Sequence, residues 1–446
     1  MSVKALEQES LRLTWELAGG STPEHWEFKT IESLLENSKA ISVGVMYPGE
    51  DTSDGVPLIK VSDVKNGKVT KRPIFCISPE VDEVHKRTRL NGTELLITLV
   101  GEPGDCVIVR EDMKGWNAAR AIAVVRLADT NLRIWLRYVL LSRSAKHLIK
   151  TRLNTTVQKT LNLKDIKELG VPIPPHPEQK AIADMLSSFD EKIELLREQN
   201  KTLETLAQTI FKEWFVNFNY PDLSACGSPA QADATGEMVD SELGEIPKVW
   251  RVGSLLEVFD LIGGGTPKTS IDEYWNGGIP WYSVVDAPKG SDTFVIDTDK
   301  NISALGLSKS STKLLNKGTS IVSARGTVGK LALVGRETAM NQSCYGVKGK
   351  GSFGDYYVYF QLKEALNSLK SRVHGAVFDT ITQSTFKNIM VPLPDDEVVT
   401  SFEERVTPIM EKILNNVFQV QTLSKTRDTI LPKLMSGQIR VGEVGL

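Results

Sequence analysis

The chain has 446 residues, of which 41% are hydrophobic and 24% charged, and its formal net charge is −3. This length suffices for two or three domains, and the apolar content can give each a core, which excludes a disordered or fibrous protein. No apolar run reaches the roughly 18 residues of a membrane span, and the acidic N-terminal segment does not have the pattern of a signal peptide.

The cysteine pattern and the charge distribution narrow the class of protein further. The four cysteines (Cys76, Cys106, Cys226 and Cys344) form no CxxC pair and have no histidine at metal-ligand spacing. This pattern predicts a cytoplasmic protein without a bound metal. Lys and Arg outnumber Asp and Glu within residues 23–177 and again within 247–394, so the negative charge is concentrated in the remaining segments.

In chain order, residues 1–22 are predicted to form one amphipathic helix, and residues 23–176 and 247–393 then share a series of motifs. The paired motifs are P-x-x-W (23–26 and 247–250), an apolar strand followed by aspartate (55–64 and 278–287), two strands around a G-x-x-G turn (92–109 and 317–334), an asparagine before a strand (Asn117 and Asn341), a helix rich in Tyr and Leu (132–151 and 356–373) and a proline-marked strand (169–179 and 389–399). Because the order and spacing are kept, the chain is predicted to be a tandem duplication of one mixed α/β (α+β) module.

Each module is followed by a predicted long helix, at residues 177–218 and 394–432. Apolar residues recur there in steps of three and four, at Ile182, Leu186, Phe189, Ile193, Leu196, Leu203 and Ile210 in the first helix and at Phe402, Val406, Ile409, Ile413, Val420 and Leu423 in the second. This spacing predicts an antiparallel coiled coil of the two helices, with pseudo-two-fold symmetry and one module at each end. Residues 219–246 are predicted to be a surface linker, and residues 433–446 a tail.

Asn200 occupies one of these seam positions. It either is buried and fixes the register of the helix pair, or faces solvent where the helix bends or frays; the sequence leaves both interpretations open.

Basic and polar residues in the two modules are candidates for contact with DNA, in which phosphate contacts give affinity and a few side chains read base edges. The candidates are Lys86, Arg87, Arg89, Arg152, Gln158, Lys159, Thr266, Lys268, Lys309, Lys313, Arg325 and Lys330. For any single one the alternative is a solvated surface charge. The glycine turns at 101–104 and 326–329 are either tight hairpin turns or sites of approach to phosphate.

Catalytic motifs are absent from the sequence. Pro267 in the GGGTPK stretch interrupts the helix that a Walker phosphate loop requires, the five histidines are scattered, and neither G-x-S-x-G nor HExxH occurs. Nor is there an adenine-methyltransferase or PD-(D/E)xK nuclease pattern. The chain is therefore expected to have no catalytic residues and no catalytic activity alone.

Several stretches together resemble a known family. PIPPHPEQKAIADML, GGGTPK with the following YW and IPW, LLITLVGEPG and SARGTVGKLALV are similar to the specificity (S) subunits of type I restriction-modification systems. The resemblance implies two target recognition domains that read a split, asymmetric sequence in double-stranded DNA, with the helices as a ruler between them. It also implies that the N-terminal helix packs near the C-terminal region.

The resemblance further implies partners. Two modification (M) subunits would bind S-adenosylmethionine and methylate adenine, and two restriction (R) subunits would use ATP and Mg²⁺, while this chain would bind no cofactor itself. Two other interpretations remain open: a self-contained methyltransferase or nuclease, and a coiled-coil DNA-binding scaffold of another phage-defence complex.

Overall fold

The structure, a computed structural model, describes residues 3–65, 67–69, 72–153, 159–221, 237–288, 292–372 and 380–441. The chain forms two compact units. Unit 1 comprises residues 1–191 and 424–446, and unit 2 comprises residues 192–423. Because both unit boundaries fall inside long helices, each unit contains a globular module and a segment of each of these helices.

Unit 1 contains seven helices of the first part of the chain and eleven strands. The helices are α1 (Val3–Leu17), α2 (Ile31–Leu34), α3 (Pro79–Val84), α4 (Leu132–Leu141), α5 (Arg143–Thr151), α6 (Leu163–Lys167) and the start of α7 (His176–Phe215). The strands are β1 (Glu27–Thr30), β2 (Ile41–Val43), β3 (Val56–Ile59), β4 (Val64–Lys65), β5 (Lys68–Val69), β6 (Cys76–Ile77), β7 (Leu95–Thr98), β8 (Cys106–Ile108), β9 (Asn117–Ala118), β10 (Ile122–Val125) and β11 (Gly170–Ile173). These counts refer to the residues that the structure describes.

Unit 2 repeats most of this order of elements. Its strands are β12 (Met238–Ser241), β13 (Gly244–Pro247), β14 (Arg251–Ser254), β15 (Phe259–Gly263), β16 (Trp275–Tyr282), β17 (Phe294–Val295), β18 (Asn301–Ile302), β19 (Ser320–Ser323), β20 (Leu331–Val334), β21 (Ala339–Met340), β22 (Cys344–Gly349) and β23 (Met390–Leu393). Its helices are α8 (Ala304–Ser308), α9 (Asp355–Arg372), α10 (Gln383–Lys387) and most of α11 (Asp396–Met435).

The three main sheets of unit 1 recur in unit 2, whereas the pairs β4-β5 and β12-β13 each occur in one unit only. The order β2-β10-β7-β8 recurs as β15-β22-β19-β20, with β17 added at one edge; β6-β3-β9 recurs as β18-β16-β21, and the pair β1-β11 recurs as β14-β23. In both three-stranded sheets one pairing is parallel, β3 with β9 and β16 with β21. This correspondence confirms the predicted duplication of an α+β module.

The registers correct one detail of the predicted repeat. Asn117 pairs with Leu58, whereas the residue equivalent to Leu58 in the second copy, Trp281, pairs with Ala339. Asn117 therefore corresponds to Ala339 and not to Asn341. Asn117 is fully buried, and its side-chain amide donates to Asp82 Oδ1 at 2.9 Å. It therefore has a structural role within unit 1, and its likeness to Asn341 is one of residue type alone.

Three predicted boundaries also change. The single helix expected over 132–151 breaks at Ser142, whose extended backbone and side-chain oxygen cap α5. The segment predicted as a linker, 219–246, includes most of the hairpin β12–β13, in which Met238 pairs with Pro247. The second long helix continues to Met435, three residues into the predicted tail.

The two long helices pair antiparallel in unit 2. Asn200 of α7 contacts Asn416 of α11, and farther along α7 the ring of Trp214 lies 6.0 Å from that of Phe402, which is near the start of α11. The partner residue number falls as the α7 number rises, so the helices run in opposite directions. In unit 1, Asp190 of α7 contacts Arg427 of α11 at 2.5 Å.

The beginning and end of the chain meet within unit 1. Arg12 of α1 donates hydrogen bonds to the backbone oxygens of Glu24 and Trp26 at 3.0 and 2.6 Å. Gly437, which follows α11 with φ +70°, lies against Pro23, because a Cβ placed there would be 2.7 Å from the proline Cγ. This agrees with the implied packing of the N-terminal helix near the C-terminal region.

Candidate nucleic-acid interface

In each unit the main sheet ends in a group of loops at one side. β2 ends at Val43 and β7 ends at Thr98, and these strands pair with Ala123 and Ile122 at the start of β10. The segments that follow β2 and β7 and the segment that precedes β10 therefore lie at the same end of the strands. We call this group the loop end; it comprises residues 44–48, 99–105, 119–121 and 159–161 in unit 1 and residues 263–268, 324–330, 341–343 and 380–381 in unit 2.

Backbone hydrogen bonds join the loops of each loop end. In unit 2 the N–H of Gly265 donates to Met340 O at 3.0 Å, that of Ala324 donates to Ser343 O at 2.8 Å, and that of Ile381 donates to Ala324 O at 2.9 Å. These bonds hold four separate chain segments side by side. The loop end is therefore a composite surface that no single sequence motif defines.

The glycine turns form part of this surface. Gly101, Gly104, Gly326 and Gly329 all have φ between +76° and +94°, which side-chain-bearing residues rarely adopt. Each turn joins two antiparallel strands, β7 to β8 and β19 to β20. They are therefore hairpin turns, and their glycines are explained by backbone conformation without any ligand.

Five of the candidate DNA-contact residues lie at the loop ends. They are Lys159 in unit 1 and Thr266, Lys268, Arg325 and Lys330 in unit 2, and all five are exposed. Lys313 lies next to the group, because the neighbouring Thr312 bonds the backbone oxygen of Met340 at 2.7 Å. Lys309 follows α8 as its C-terminal cap, in the same connection between α8 and β19, and is also exposed. Gln158 lies outside the described residues.

Charge availability also favours this surface. Among the described residues, Lys159, Lys268, Lys309, Lys313, Arg325 and Lys330 form no ion pair with a carboxylate. A cation without a protein partner keeps its full charge for a phosphate. The loop ends can therefore contribute the salt-dependent, sequence-independent part of DNA affinity.

The structure does not bring Lys86, Arg87 and Arg89 to the loop end of unit 1. The Arg87 guanidinium donates to the backbone oxygen of Lys39 at 2.8 Å, and Lys39 precedes β2, whereas the loop end follows that strand. Two of the three charges are also occupied: Lys86 pairs with Glu83 at 2.8 Å, and Arg89 pairs with Asp82 and Glu83. Their contact with DNA stays a prediction.

Arg89 has a structural role that the sequence did not indicate. Its hydrogen bonds to Asp82 and Glu83 raise its pKa, and Asp82 is almost fully buried. The same Asp82 accepts the amide of Asn117. Arg89 thus closes a polar network that fixes α3 to the sheet. Arg152, another candidate, follows α5 as its C-terminal cap and is half-buried.

The helix seam agrees with the predicted pattern. Within unit 1, Ile182, Leu186 and Phe189 are buried, and within unit 2, Ile193, Leu196, Phe402, Val406 and Ile413 are buried. The predicted positions Leu203, Ile210, Ile409, Val420 and Leu423 are partly buried. The pattern missed Met410, which is fully buried, because it lies one residue beside the Ile409 position that the three-four spacing selected.

Asn200 is buried, with 1% of its surface exposed, and its side-chain oxygen accepts a hydrogen bond from Asn416 at 2.8 Å. The same Asn416 amide group donates to Gln199 Oε1 at 2.9 Å. Of the two interpretations left open by the sequence, the buried polar residue is confirmed and the solvent-facing one is wrong. The sequence could not name the partner because Asn416 lies on the other helix.

A second polar contact joins the helices in unit 1. Asp190 accepts hydrogen bonds from Arg137 at 2.6 Å, Tyr138 at 2.8 Å and Arg427 at 2.5 Å. Burial raises the pKa of Asp190, but the bonds from Arg137 and Arg427 outweigh burial and leave the pKa below its ordinary value. The carboxylate is therefore ionised and links α4, α7 and α11.

No metal site is found among the described residues: no group of three or more His, Cys, Asp or Glu is arranged to hold an ion. Within the same part of the chain, none of the helices combines the length and apolar character needed to cross a membrane.

Similarity to known proteins decides the family. The family described as "Type I restriction modification DNA specificity domain" matches residues 23–205 and 247–423, one match for each module. The chain belongs to this family. Each match covers one copy of the α+β module and the greater part of the long helix that follows it.

Individual relatives agree. The MjaIX specificity subunit of Methanocaldococcus jannaschii is 26% identical over 436 residues, 95% of this chain and 96% of the relative. The EcoBI specificity subunit of Escherichia coli is 32% identical over 204 residues, 42% of this chain and 41% of the relative. The crystal structure of a type I restriction-modification S subunit from M. genitalium aligns with a TM-score of 0.55 and 18% identity, covering 92% of this chain and 96% of that one, and shows the same fold.

Two exposed loop-end residues were missed by sequence reasoning. Arg120 and Gln342 lie two residues before the first residues of β10 and β22, and neither belongs to a cluster of basic residues. The internal repeat could have revealed them as a pair. The incorrect match of Asn117 with Asn341 displaced the alignment by two residues at this point and concealed it.

Proposed function

We propose that this specificity subunit binds a split DNA target, with the loop end of each unit entering the major groove over one half-site. The protein supplies recognition and assembly, while two M subunits and, in the restriction complex, two R subunits supply the chemistry. S-adenosylmethionine would then be bound by the M subunits, and ATP and Mg²⁺ by the R subunits. The site of action would be the cytoplasm, where the host DNA lies.

The observation that carries the proposal is the repetition of one loop end on two equivalent sheets with different side chains. Equivalent backbone frames present loops to DNA in the same way, while different side chains read different bases. Two half-sites of unlike sequence follow. The unpaired cations of these surfaces would bind phosphates and position the loops.

The paired helices support the second part of the proposal. They are continuous for forty residues each, and their polar contacts fix which residues face each other. A helix of this length spans about 60 Å at 1.5 Å per residue, which suits a spacer between two reading surfaces. Their exposed faces are available for the M subunits.

The test uses the chain together with its M subunits. Sequencing of methylated adenines in DNA treated with this complex should return two short, unlike sequences at a constant separation. A single contiguous palindrome, or methylation without sequence preference, would contradict the proposal. Methylation by the isolated chain would instead support a self-contained methyltransferase.

A further inference from the structure

Arg120 of unit 1 and Gln342 of unit 2 occupy the same position in the repeated fold. The residues before them, Ala119 and Asn341, donate backbone hydrogen bonds to Ile59 and Tyr282 on the equivalent strands β3 and β16, both at 2.9 Å. This bond fixes the equivalence on one side of each residue.

The residues that follow Arg120 and Gln342 show the same equivalence. The backbone oxygens of Ala121 and Ser343 both accept from the residue after the main central strand, Leu99 in unit 1 and Ala324 in unit 2, at 2.8 Å. With the flanking residues matched on both sides, Arg120 and Gln342 are structural equivalents. The backbone that presents each side chain is therefore the same.

Both side chains are exposed at the centre of their loop ends. The N–H of Arg120 donates to Val45 O at 2.9 Å, which places it against the loop after β2. In unit 2 the hydroxyl of Thr266, in the corresponding loop after β15, bonds the Gln342 Oε1. Each residue thus lies between the loop that follows the edge strand and the strand β10 or β22.

Neither side chain is needed to hold the fold. Among the described residues, the Arg120 guanidinium forms no hydrogen bond or ion pair, and Gln342 bonds only Thr266 through its side chain. A cation and a primary amide in these positions are free to meet a ligand. The bond from Thr266 uses one acceptor direction of Oε1 and leaves the second, and the amide N–H₂ group keeps both of its hydrogens.

The chemistry of the two side chains matches different bases. Arginine donates two parallel hydrogen bonds to O6 and N7 of guanine, while glutamine accepts from N6 and donates to N7 of adenine. We propose that Arg120 and Gln342 are the equivalent base-reading residues of the two units, Arg120 for a guanine in one half-site and Gln342 for an adenine in the other. Thr266 orients the Gln342 amide for this contact.

This inference rests on the proposed function, and its test separates the two. The complex of the chain with its M subunits is used to methylate a DNA library in which both half-sites are randomised one position at a time. The variants are Arg120→Gln and Gln342→Arg. The controls are Arg143→Gln and Gln383→Arg, which make the same exchanges at the exposed first residue of α5 and at the first residue of α10.

Each variant is expected to change the base preference at one position of the target only. Arg120→Gln should reduce the preference for guanine at one position of one half-site by roughly ten- to a hundredfold, and Gln342→Arg should shift one position of the other half-site from adenine towards guanine. The controls should keep the target of the unchanged protein. Thr266→Val should weaken the adenine preference without changing any other position.

Two outcomes would overturn the inference. A uniform loss of methylation on all sequences would make these residues phosphate contacts, and an unchanged target in both variants would make them bystanders. If the unchanged complex shows no sequence preference at all, the proposed function itself fails. Normal size of each variant complex in light scattering shows that assembly is intact.

Discussion

In unit 1 the helices α7 and α11 meet through a carboxylate, whereas in unit 2 they meet through aromatic rings and amides. The fifteenth residue of α7 is Asp190, which bonds Arg137, Tyr138 and Arg427. The fifteenth residue of α11 is Met410, which is fully buried among apolar side chains. The same fold position therefore carries a buried charge in one unit and a hydrophobic residue in the other.

The two units therefore share the same arrangement of helices but differ in the side-chain contacts that join those helices. A buried ion pair is sensitive to the loss of either partner, while an aromatic cluster loses stability in proportion to the volume removed. The two ends of the helix pair are therefore stabilised by different contacts.

The largest effect is expected in the aromatic cluster of unit 2. Phe402 is fully buried, and its ring centroid lies 5.1 to 6.0 Å from those of Phe211, Trp214 and Phe215. Phe402→Ala should lower the free energy of unfolding of unit 2 by about 4 kcal/mol, because it removes apolar contacts and leaves a cavity. Hydrogen exchange, which reports each unit separately, should show lost protection in unit 2.

The matched control for this change is Phe418→Ala on the same helix, since Phe418 is 37% exposed. It should change protection by less than about 1 kcal/mol. Equal effects of the two substitutions would show that the cluster does not stabilise unit 2.

In unit 1 the corresponding test is Asp190→Ala. Arg137 and Asp190 are 7% and 8% exposed, so the substitution leaves a buried guanidinium without its carboxylate. The expected loss in the free energy of unfolding of unit 1 is about 3 kcal/mol, measured by hydrogen exchange. Asp184→Ala, which removes an exposed carboxylate paired with Lys180, should cost no more than about 0.5 kcal/mol. A loss of protection in unit 2 instead of unit 1 would contradict the local role of Asp190.

The sequence was sufficient for much of this fold for a physical reason. The module occurs twice, so every weak strand signal was supported by a second copy, and the three-four spacing of residues such as Leu186 and Phe402 predicts a buried helix face without any knowledge of the partner. Family membership followed from the same motifs.

The candidate site could be predicted only in part. The loop ends assemble from four segments that are distant in the chain, and hydrogen bonds such as that from Gly265 to Met340 determine which side chains become neighbours. Charge clusters in the sequence therefore selected Lys86 and Arg89, which are paired with acidic residues, and missed Arg120, which stands alone in the sequence. The Asp190 network was missed because its partners come from two other helices, α4 and α11, that are distant from Asp190 in the chain.

The pH dependence of stability should also distinguish the units. Burial raises the pKa of Glu403 to about 7 from the ordinary 4.5, although the backbone N–H groups of Tyr357 and Tyr356 donate to it and oppose the shift. The equivalent residue in α7, the eighth of the helix, is Ala183. Only unit 2 has a carboxylate at this position.

Because the folded state holds this proton more tightly than the unfolded state, the contribution of Glu403 to stability is complete below about pH 4.5 and is lost as pH rises through 7. Relative to Glu403→Gln, the unchanged protein should lose about 2 to 3 kcal/mol of the free energy of unfolding of unit 2 between pH 4.5 and 8. Hydrogen exchange at several pH values, corrected for the intrinsic exchange rate, measures this difference. Parallel pH profiles of the two proteins would show that Glu403 does not titrate in this range.

The smallest expected effect on stability concerns the buried pair Asn200 and Asn416. Substitutions in this pair distinguish its contribution to stability from its role in fixing the register of the helices. Asn200→Leu removes the acceptor of the Asn416 amide, which keeps only its bond to Gln199, so the free energy of unfolding of unit 2 should fall by about 1 to 2 kcal/mol. The double change Asn200→Leu with Asn416→Leu should restore most of this loss, since two apolar residues replace both partners and no polar group is left unsatisfied.

The double variant should nevertheless be less specific in its function. A buried polar pair penalises every alternative register, because a shift of either helix would leave both amides against apolar residues, whereas leucine tolerates such shifts. Methylated-adenine sequencing with the complex of the double variant and its M subunits should then return a broader range of spacings between the half-sites. The exposed neighbour Asn415→Leu serves as the control and should change neither quantity. A double variant that keeps a single spacing would show that the packing of the two recognition domains against the helices sets the register without the amide pair.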